Sequence, residues 1–589
     1  MKNNGKIISK LFKKSVISII AAAIATMIGV VIDGIIIGRF LGTESMAAYG
    51  LVTPVINLAT AFSGILAAGS QVVCAQHLGA GKADRARRAF SMCMVVTAVV
   101  AAVMMTVILL FRGNIAVMLG ARGKSANLMP LVSDYLLGML FAFPSVMLLF
   151  EFNSLMRLDG DPNRVIVAVV VMTLLDVAGD LLNAFVLHWG MLGMGLATSV
   201  SYFAALIIML LHFTKKDIIF RFSPKGLKLK DLADILTIGS SSAVGSTSAM
   251  LRNTVLNNIM VGTVLSGTAV AALGVLNTVY NFTSSTMLGV GLTAAMIAGM
   301  ILGEQDRSAA QALIKVSVKT ALVVGAVLGV LVFALADVIA GVFGGSDGQE
   351  MVALAARGLR FYSVSIILYG VNNVFVNYTQ GMRRMAISNI ICFLESFVFL
   401  VIPALALSGI LQTDAVWLAY IIAEVISIIT IVIFAAVKKR GFPSRACDYL
   451  FLKEPFGVED KNLFEVSITK EDEVIPASKA VSEFCEAHNA PPKTATLLSL
   501  FVEELSNNIV RHGFSDGKKH SIDIRLFCTE SGWTLRFRDN CRQFDPTAWI
   551  KLHQSDDPTA NIGIRMVCGM AEKVDYLSTM ELNNLTIKI

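Results

Sequence analysis

Charge is scarce in this chain. Of its 589 residues only 15% are Asp, Glu, Lys or Arg, and 55% are hydrophobic, against about 25% charged in an ordinary soluble domain. A single soluble globule is thereby excluded, and most of the length is bilayer material. Cysteine is sparse as well. The eight residues (Cys74, Cys93, Cys392, Cys447, Cys485, Cys528, Cys541, Cys568) form no CxxC pair, so neither a zinc site nor a disulfide framework is supported and reduced thiols are expected. No GxxxxGK[ST] loop occurs, which excludes a P-loop ATPase. The net charge of +7 fits basic loops beside membrane spans and does not imply nucleic-acid binding.

Long apolar runs are what the chain has in quantity. Twelve stretches of about 20 residues or more, enough to cross a bilayer, run from residues 15–38 to 414–438. The first follows a basic start, "MKNNGKIISKLFKK", but extends past Gly38, too long for a cleaved signal core, and is expected to be a retained span. "GKADRARR" (81–88), "TKKDIIFRFSPKGLKLK" (214–230), "MRR" (382–384) and "KKRGFPSR" (438–445) are strongly basic, whereas loop 263–270 has no charge. With an even number of spans the basic loops share one side, which puts both termini in the cytoplasm of a bacterial-type plasma membrane.

The spans also repeat. "AAYGLVTPVIN" (Ala47–Asn57) matches "AALGVLNTVYN" (Ala271–Asn281), and the same 224-residue offset pairs Gly38 with Gly262, Gly79 with Gly303 and Ala86 with Ala310. Six spans separate the copies, so the halves run in the same direction, a plan in which the site lies between two lobes. The expected fold is an α-helical polytopic membrane domain of twelve spans in two six-helix lobes, followed by a soluble tail.

Ionisable groups at span centres cost about 2.5–3.5 kcal/mol each on insertion scales, so each needs a reason. Asp33 lies in the first span; Asp176, Asp180 and Asn183 lie in the fifth, "TLLDVAGDLLNAF". Positions 176, 180 and 183 are spaced i, i+4 and i+7, one helix face. Two carboxylates and an amide there can bind Na⁺ or share a proton, because like charges nearby raise one pKa. Glu151, Glu395 and Glu424 are further intramembrane acids, open between a functional and a paired structural role.

"DGIIIGRFLG" (Asp33–Gly42), "LGAGKADRARRA" (Leu78–Ala89) and "RLDGDPNR" (Arg157–Arg164) in this twelve-span setting resemble the multidrug and toxic compound extrusion (MATE) transporters over residues 10–440. The resemblance implies a V of two bundles that exports small organic, often cationic, substrates across the lipid bilayer in exchange for Na⁺ or H⁺. It further implies that Asp33 and Asp180 belong to the coupling site of the first lobe. An amide is more usual at the position of Asp176.

Beyond a linker at 441–462 the pattern becomes that of a soluble domain, 463–589. "LFEVSITK", "SIDIRLFCT", "TLRFRD", "VDYLST" and "LTIKI" read as strands, and 473–488, 493–512 and 561–571 as helices, giving a small mixed sheet with helices on one face. Glu504, Asn508 and His512 recur every fourth residue; "RDNCRQFDP" ends a strand and "NIGIRMV" opens a helix. In this order they resemble the three boxes of the Bergerat (GHKL) ATP-binding fold, most closely in its anti-sigma-factor kinases. The resemblance implies an α/β sandwich that binds ATP and Mg²⁺. Asn508 would supply an oxygen to Mg²⁺, Glu504 would act as the catalytic base, and Asp539 would accept the adenine amino group. Gly563 would let backbone N–H groups approach the phosphates at a helix start, and His512 either contacts nucleotide or caps the helix. Cys541 and Asn561 stand where the boxes usually have glycine.

Three readings follow. The first is an ion-coupled exporter whose ATP-binding tail regulates transport or signals. The second is a membrane-anchored Ser/Thr kinase that senses through its transporter-like part and acts on a partner protein. The third is a flippase for a lipid-linked substrate.

Overall fold

The structure, a computed structural model, describes residues 5–122, 126–215, 218–223, 226–263, 266–344, 349–515, 517–529, 532–552 and 562–589. The first lobe comprises α1 (Gly5–Ile36), α2 (Thr43–Gly79), α3 (Ala83–Met118), α4 (Leu128–Leu158), α5 (Pro162–Leu182) and α6 (Gly190–Leu210). The second comprises α7 (Leu229–Val261), α8 (Ser266–Glu304), α9 (Arg307–Ala334), α10 (Gln349–Gly381), α11 (Met385–Leu411) and α12 (Thr413–Lys439). Among the described residues eleven helices are long and apolar enough to cross a membrane, one fewer than the twelve expected. The exception is α7. Its 33 residues suffice in length, but "SSSAVGSTSAMLRNTVLNN" thins its hydrophobicity with Ser, Asn and Arg252.

The 224-residue offset reappears as a contact. At the end of the molecule that carries the tail, a side chain on Gly79 would overlap the Met300 carbonyl, and one on Gly303 would overlap that of Gln76. These are equivalent positions of the two halves, so α2 and α8 cross backbone to backbone about a pseudo-twofold axis. Gly69 against Ile235 and Gly239 against Ile65 repeat the device between α2 and α7. Small residues allow such approach, which is how membrane helices gain packing without a hydrophobic driving force. Towards the opposite end Gly50, Gly267 and Gly274 have open space around them, and each lobe has an apolar core of its own. The lobes therefore meet at the tail end and part away from it.

The tail contains β1 (Leu463–Ile468), α13 (Val474–Ala487), α14 (Pro492–Gly513), β2 (Ile522–Thr529), β3 (Gly532–Asp539), α15 (Pro546–Leu552), α16 (Ile562–Met570), β4 (Lys573–Thr579) and β5 (Leu582–Lys588). The strand order is β1-β2-β3-β5-β4. Every pairing is antiparallel, so the mixed sheet expected is corrected: β2–β3 and β4–β5 are hairpins, the α13–α14 excursion returns β2 antiparallel beside β1, and β5 lies between β3 and β4, which run the same way without pairing. One face (Ile522, Ile524, Leu526, Leu535, Phe537, Ile587) packs under α13 and α14, as period-two alternation requires. The other carries Arg525, Arg536 and Arg538, and all three are buried.

They are buried because the membrane domain covers them. Glu304, the last residue of α8, and Asp306, just before α9, receive them: Glu304 pairs with Arg536 and Arg538, and Asp306 with Arg525 at 2.8 Å. The β4–β5 hairpin contacts the first lobe, where Thr579 Oγ1 and the Met580 N–H donate to the Leu158 carbonyl at 2.8 and 3.1 Å. Lys14 of α1 pairs with Glu581 beside them. The 441–462 segment is also packed, with Leu450, Phe451, Leu452 and Phe456 buried against the membrane domain.

Candidate ion and nucleotide sites

Three acids of the first lobe come together. Asp33 on α1 and Asp180 on α5 lie within hydrogen-bonding reach of each other, although 147 residues separate them. Both Asp180 oxygens and Oδ1 of Asp33 are buried without a donor among the described residues. Asp176, one turn before Asp180, accepts from Ser201 Oγ of α6 at 3.0 Å. Tyr49, Tyr135 and Tyr202 come within electrostatic reach of the acids, and the rings of Tyr49 and Tyr135 meet edge to face at 5.8 Å. These tyrosines and Ser201 escaped the sequence reading because aromatic and small residues in a span are ordinarily packing.

Asn183 does something else. It opens a π-helical turn, Asn183–Leu187, in which its Oδ1 accepts from the Trp189 N–H at 3.0 Å and its Nδ2 donates to the Gly190 carbonyl at 2.9 Å. Gly193 leaves the space its amide occupies. Both ends of the amide serve the α5–α6 turn, so its place on the acid face does not translate into a free ligand.

The second lobe has its own buried polar cluster. Glu424 accepts from Asn372 Nδ2 at 2.6 Å, and Glu395 sits in a π-helical turn, Leu394–Val398. Arg252, 3% exposed, lies over the Tyr280 ring at 4.5 Å and donates to its hydroxyl at 3.0 Å. A lone Arg in α7 was the available signal for this cluster. Glu151 accepts from Ser70 Oγ at 3.0 Å.

In the tail, Glu504 on α14 faces Gly563 near the start of α16. A Cβ at 563 would stand 2.9 Å from the Glu504 carboxyl carbon, so glycine is what lets the Glu504 carboxylate rest there in its present rotamer. Asp539, at the end of β3, is buried and its Oδ1 accepts from Asn583 Nδ2 at 2.8 Å and the Cys541 N–H at 2.9 Å. Burial holds its carboxyl above the usual range against those bonds. Asn508 is half-buried one turn beyond Glu504, and His512 is exposed at the helix end. Asn561 lies outside the described residues. Cys541 fills the hollow over Gly513: a Cβ there would lie 2.7 Å from its sulfur. The glycine of "RHG" thus accommodates the side chain that replaces the expected glycine of the next box. A cradle lined by glycine at 563 beside the Glu504 carboxylate, in the same domain as the buried Asp539, fits a nucleotide.

Two helical lobes that meet at one end, acids buried between spans and a sheet domain with a glycine-lined cradle define an integral membrane protein of the two-lobed transporter class with an ATPase-like tail. The MatE profile matches residues 18–182 and 243–406, and the histidine kinase-like ATPase domain profile matches 468–589. The chain belongs to the MATE family. It is 23% identical over 426 residues to the multidrug export protein MepA of Staphylococcus aureus, covering 71% of this chain and 91% of that one. It is 21% identical over 354 residues to the probable multidrug resistance protein YoeA of Bacillus subtilis, covering 58% and 74%. Among solved structures it is similar to an outward-facing MATE transporter (TM-score 0.67, 20% identity, 72% and 94% covered). It is also similar to the bent form of the transporter VcmN from Vibrio cholerae (TM-score 0.66, 17% identity, 77% and 100% covered).

Proposed function

We propose that the protein exports small organic compounds in exchange for Na⁺ or H⁺, and that its cytoplasmic tail binds ATP with Mg²⁺ and regulates transport. The observation that carries the coupling reading is the Asp33–Asp180 pair. Two carboxyl groups in reach of each other, with buried oxygens that nothing nearby donates to, need a cation or a shared proton to be stable. Asp176 adds a third acid whose charge Ser201 supports. Drug efflux by proteoliposomes tests the reading: Asp33→Asn and Asp180→Asn should each abolish dependence on the ion gradient and cut transport about 100-fold or more, whereas gradient-driven transport in both variants would overturn it.

Regulation rests on the docking of the tail. Its sheet touches both lobes, at Leu158 and Lys14 on one side and at Glu304 and Asp306 on the other, close to the Gly79–Gly303 crossing. Any export cycle that alternates access must part the lobes there, so a docked tail opposes that step. Asn508 and Gly563 would hold the nucleotide's metal and phosphates, and Asp539 its base. Bound ATP would supply a transferable phosphoryl group, and Glu504 would accept the proton of the attacking group. Transport measured with and without ATP on the tail side, in the wild type and in Glu504→Ala, separates regulation by binding from regulation by turnover.

A further inference from the structure

A second feature lies apart from these sites. A cavity of about 1500 Å³ opens between α1, α9 and the end of α12, beneath β1 and the 441–462 segment. Seven basic and three acidic residues line it. Four of the bases are engaged: Arg307 with Glu454, Lys439 with Asp448, Arg525 with Asp306 and Glu465, and Lys438 with the Leu452 carbonyl. Lys13, Lys315 and Lys319 have no acidic partner among the described residues. Lys315 and Lys319 are one turn apart on α9, so they are side by side with like charge.

The lysines stand at the boundary of an apolar wall. Beyond them residues 320–334 carry no charge, a length of about 22 Å at 1.5 Å per residue. Val16, Ile17, Ile20 and Val323 continue the cavity in that direction. A second cavity of about 660 Å³, between α9, α10 and α12, shares Lys315, Lys319 and Val323 with the first. Its other lining is almost wholly apolar, including Leu322, Val371, Phe375 and Ile431. One basic mouth and one apolar groove meet at the same two lysines.

We propose that this paired cavity binds an anionic phospholipid, its phosphate on Lys315, Lys319 and Lys13 and an acyl chain along the groove between α9 and α10. Basic pockets between spans select anionic headgroups, and lysine stems lie along apolar surface while their ammonium groups stay at headgroup level. A cationic export substrate is repelled by three unpaired lysines, and a soluble phosphate makes no use of the groove. The lipid would touch α1 of one lobe and α9 of the other, on the side where the tail docks.

Native mass spectrometry of the full-length protein in zwitterionic detergent tests this, with phosphatidylglycerol, phosphatidylcholine and glycerol phosphate as probes. Phosphatidylglycerol should be retained and the other two should not. Each lysine near an anionic headgroup contributes about fivefold, so Lys315→Gln/Lys319→Gln should weaken retention about 25-fold. The control pair Lys479→Gln/Lys493→Gln, on the tail surface, should not. Leu322→Trp, which fills the groove and leaves the charges, should also weaken it, and a thermal melt checks that each variant is folded. Unchanged retention in the double lysine variant, or glycerol phosphate binding as well as the lipid with Leu322→Trp inert, overturns the proposal.

Discussion

At Gly563 the proposed nucleotide cradle depends on the absence of one carbon. Glu504 and Gly563 are 59 residues apart in sequence, and a methyl group at 563 would displace the Glu504 carboxylate from its present position. Gly563→Ala must push α16 or the Glu504 side chain aside. Overpacking of this kind costs about 1–3 kcal/mol, and we expect fluorescent ATP-analogue affinity of the full-length protein to fall about tenfold or more. Wild-type affinity in that variant would show that the cradle does not hold nucleotide. Cys541 illustrates the same logic in reverse. Read from its box alone it is a departure, but Gly513 removes the side chain it would have met, so the two positions are complementary.

At the scale of the element, the tail sheet hides a polar face. Alternation in β2 and β3 puts Asp523, Arg525, Arg536 and Arg538 on one side, and pairing registers Asp523 with Arg538 and Arg525 with Arg536. In a free domain that side would meet water; here it is closed by Glu304 and Asp306. Burial lowers the Arg536 pKa to about 10, the mark of a charge removed from water. Burial would also raise Asp306, yet Arg525 and then Arg538 hold it below its ordinary value. Its contribution is therefore present above about pH 4 and lost on acidification.

Asp523 behaves oppositely. Burial raises it to about 6, against the hydrogen bond from Ser467 Oγ at 2.5 Å. A folded-state pKa above the unfolded one means stability that is complete at low pH and is lost as pH rises through the window from about 4 to 6. Asp523→Asn keeps the acceptor for Ser467 and removes the titration. Relative to the wild type, this variant should gain about 1 kcal/mol more tail stability at pH 7 than at pH 5, read from thermal melts of the full-length protein. A difference that does not change with pH would refute that assignment.

For the whole molecule, the decisive feature is that the tail joins both lobes. Glu304 is nearly inaccessible and serves two arginines. Removing one partner of a buried ion pair leaves the others unpaired and costs about 3–5 kcal/mol. Glu304→Gln should undock the sheet, seen as faster hydrogen exchange in residues 532–539. If the docked tail restrains the crossing of α2 and α8, the same variant should change the transport rate. Faster exchange with unchanged transport would confine the tail to a role outside the export cycle.

Periodicity and spacing carried much of this from the sequence alone. The apolar runs, the 224-residue repeat, the family motifs, and the order of strands and boxes in the tail are all local or repeated patterns, and each is set by how one element divides its faces between apolar and polar surroundings. Even the exception, α7, can be read from its Ser, Asn and Arg content. Tertiary structure alone decided which faces meet. It brought Asp33 to Asp180, assigned Asn183 to a turn, gave Glu504 to Gly563 and Cys541 to Gly513, ran every strand antiparallel, and turned a polar sheet face into the seal against Glu304 and Asp306. A residue's spacing specifies the side of its own helix or strand, whereas its partner depends on where a distant segment packs, and no local pattern contains that distance.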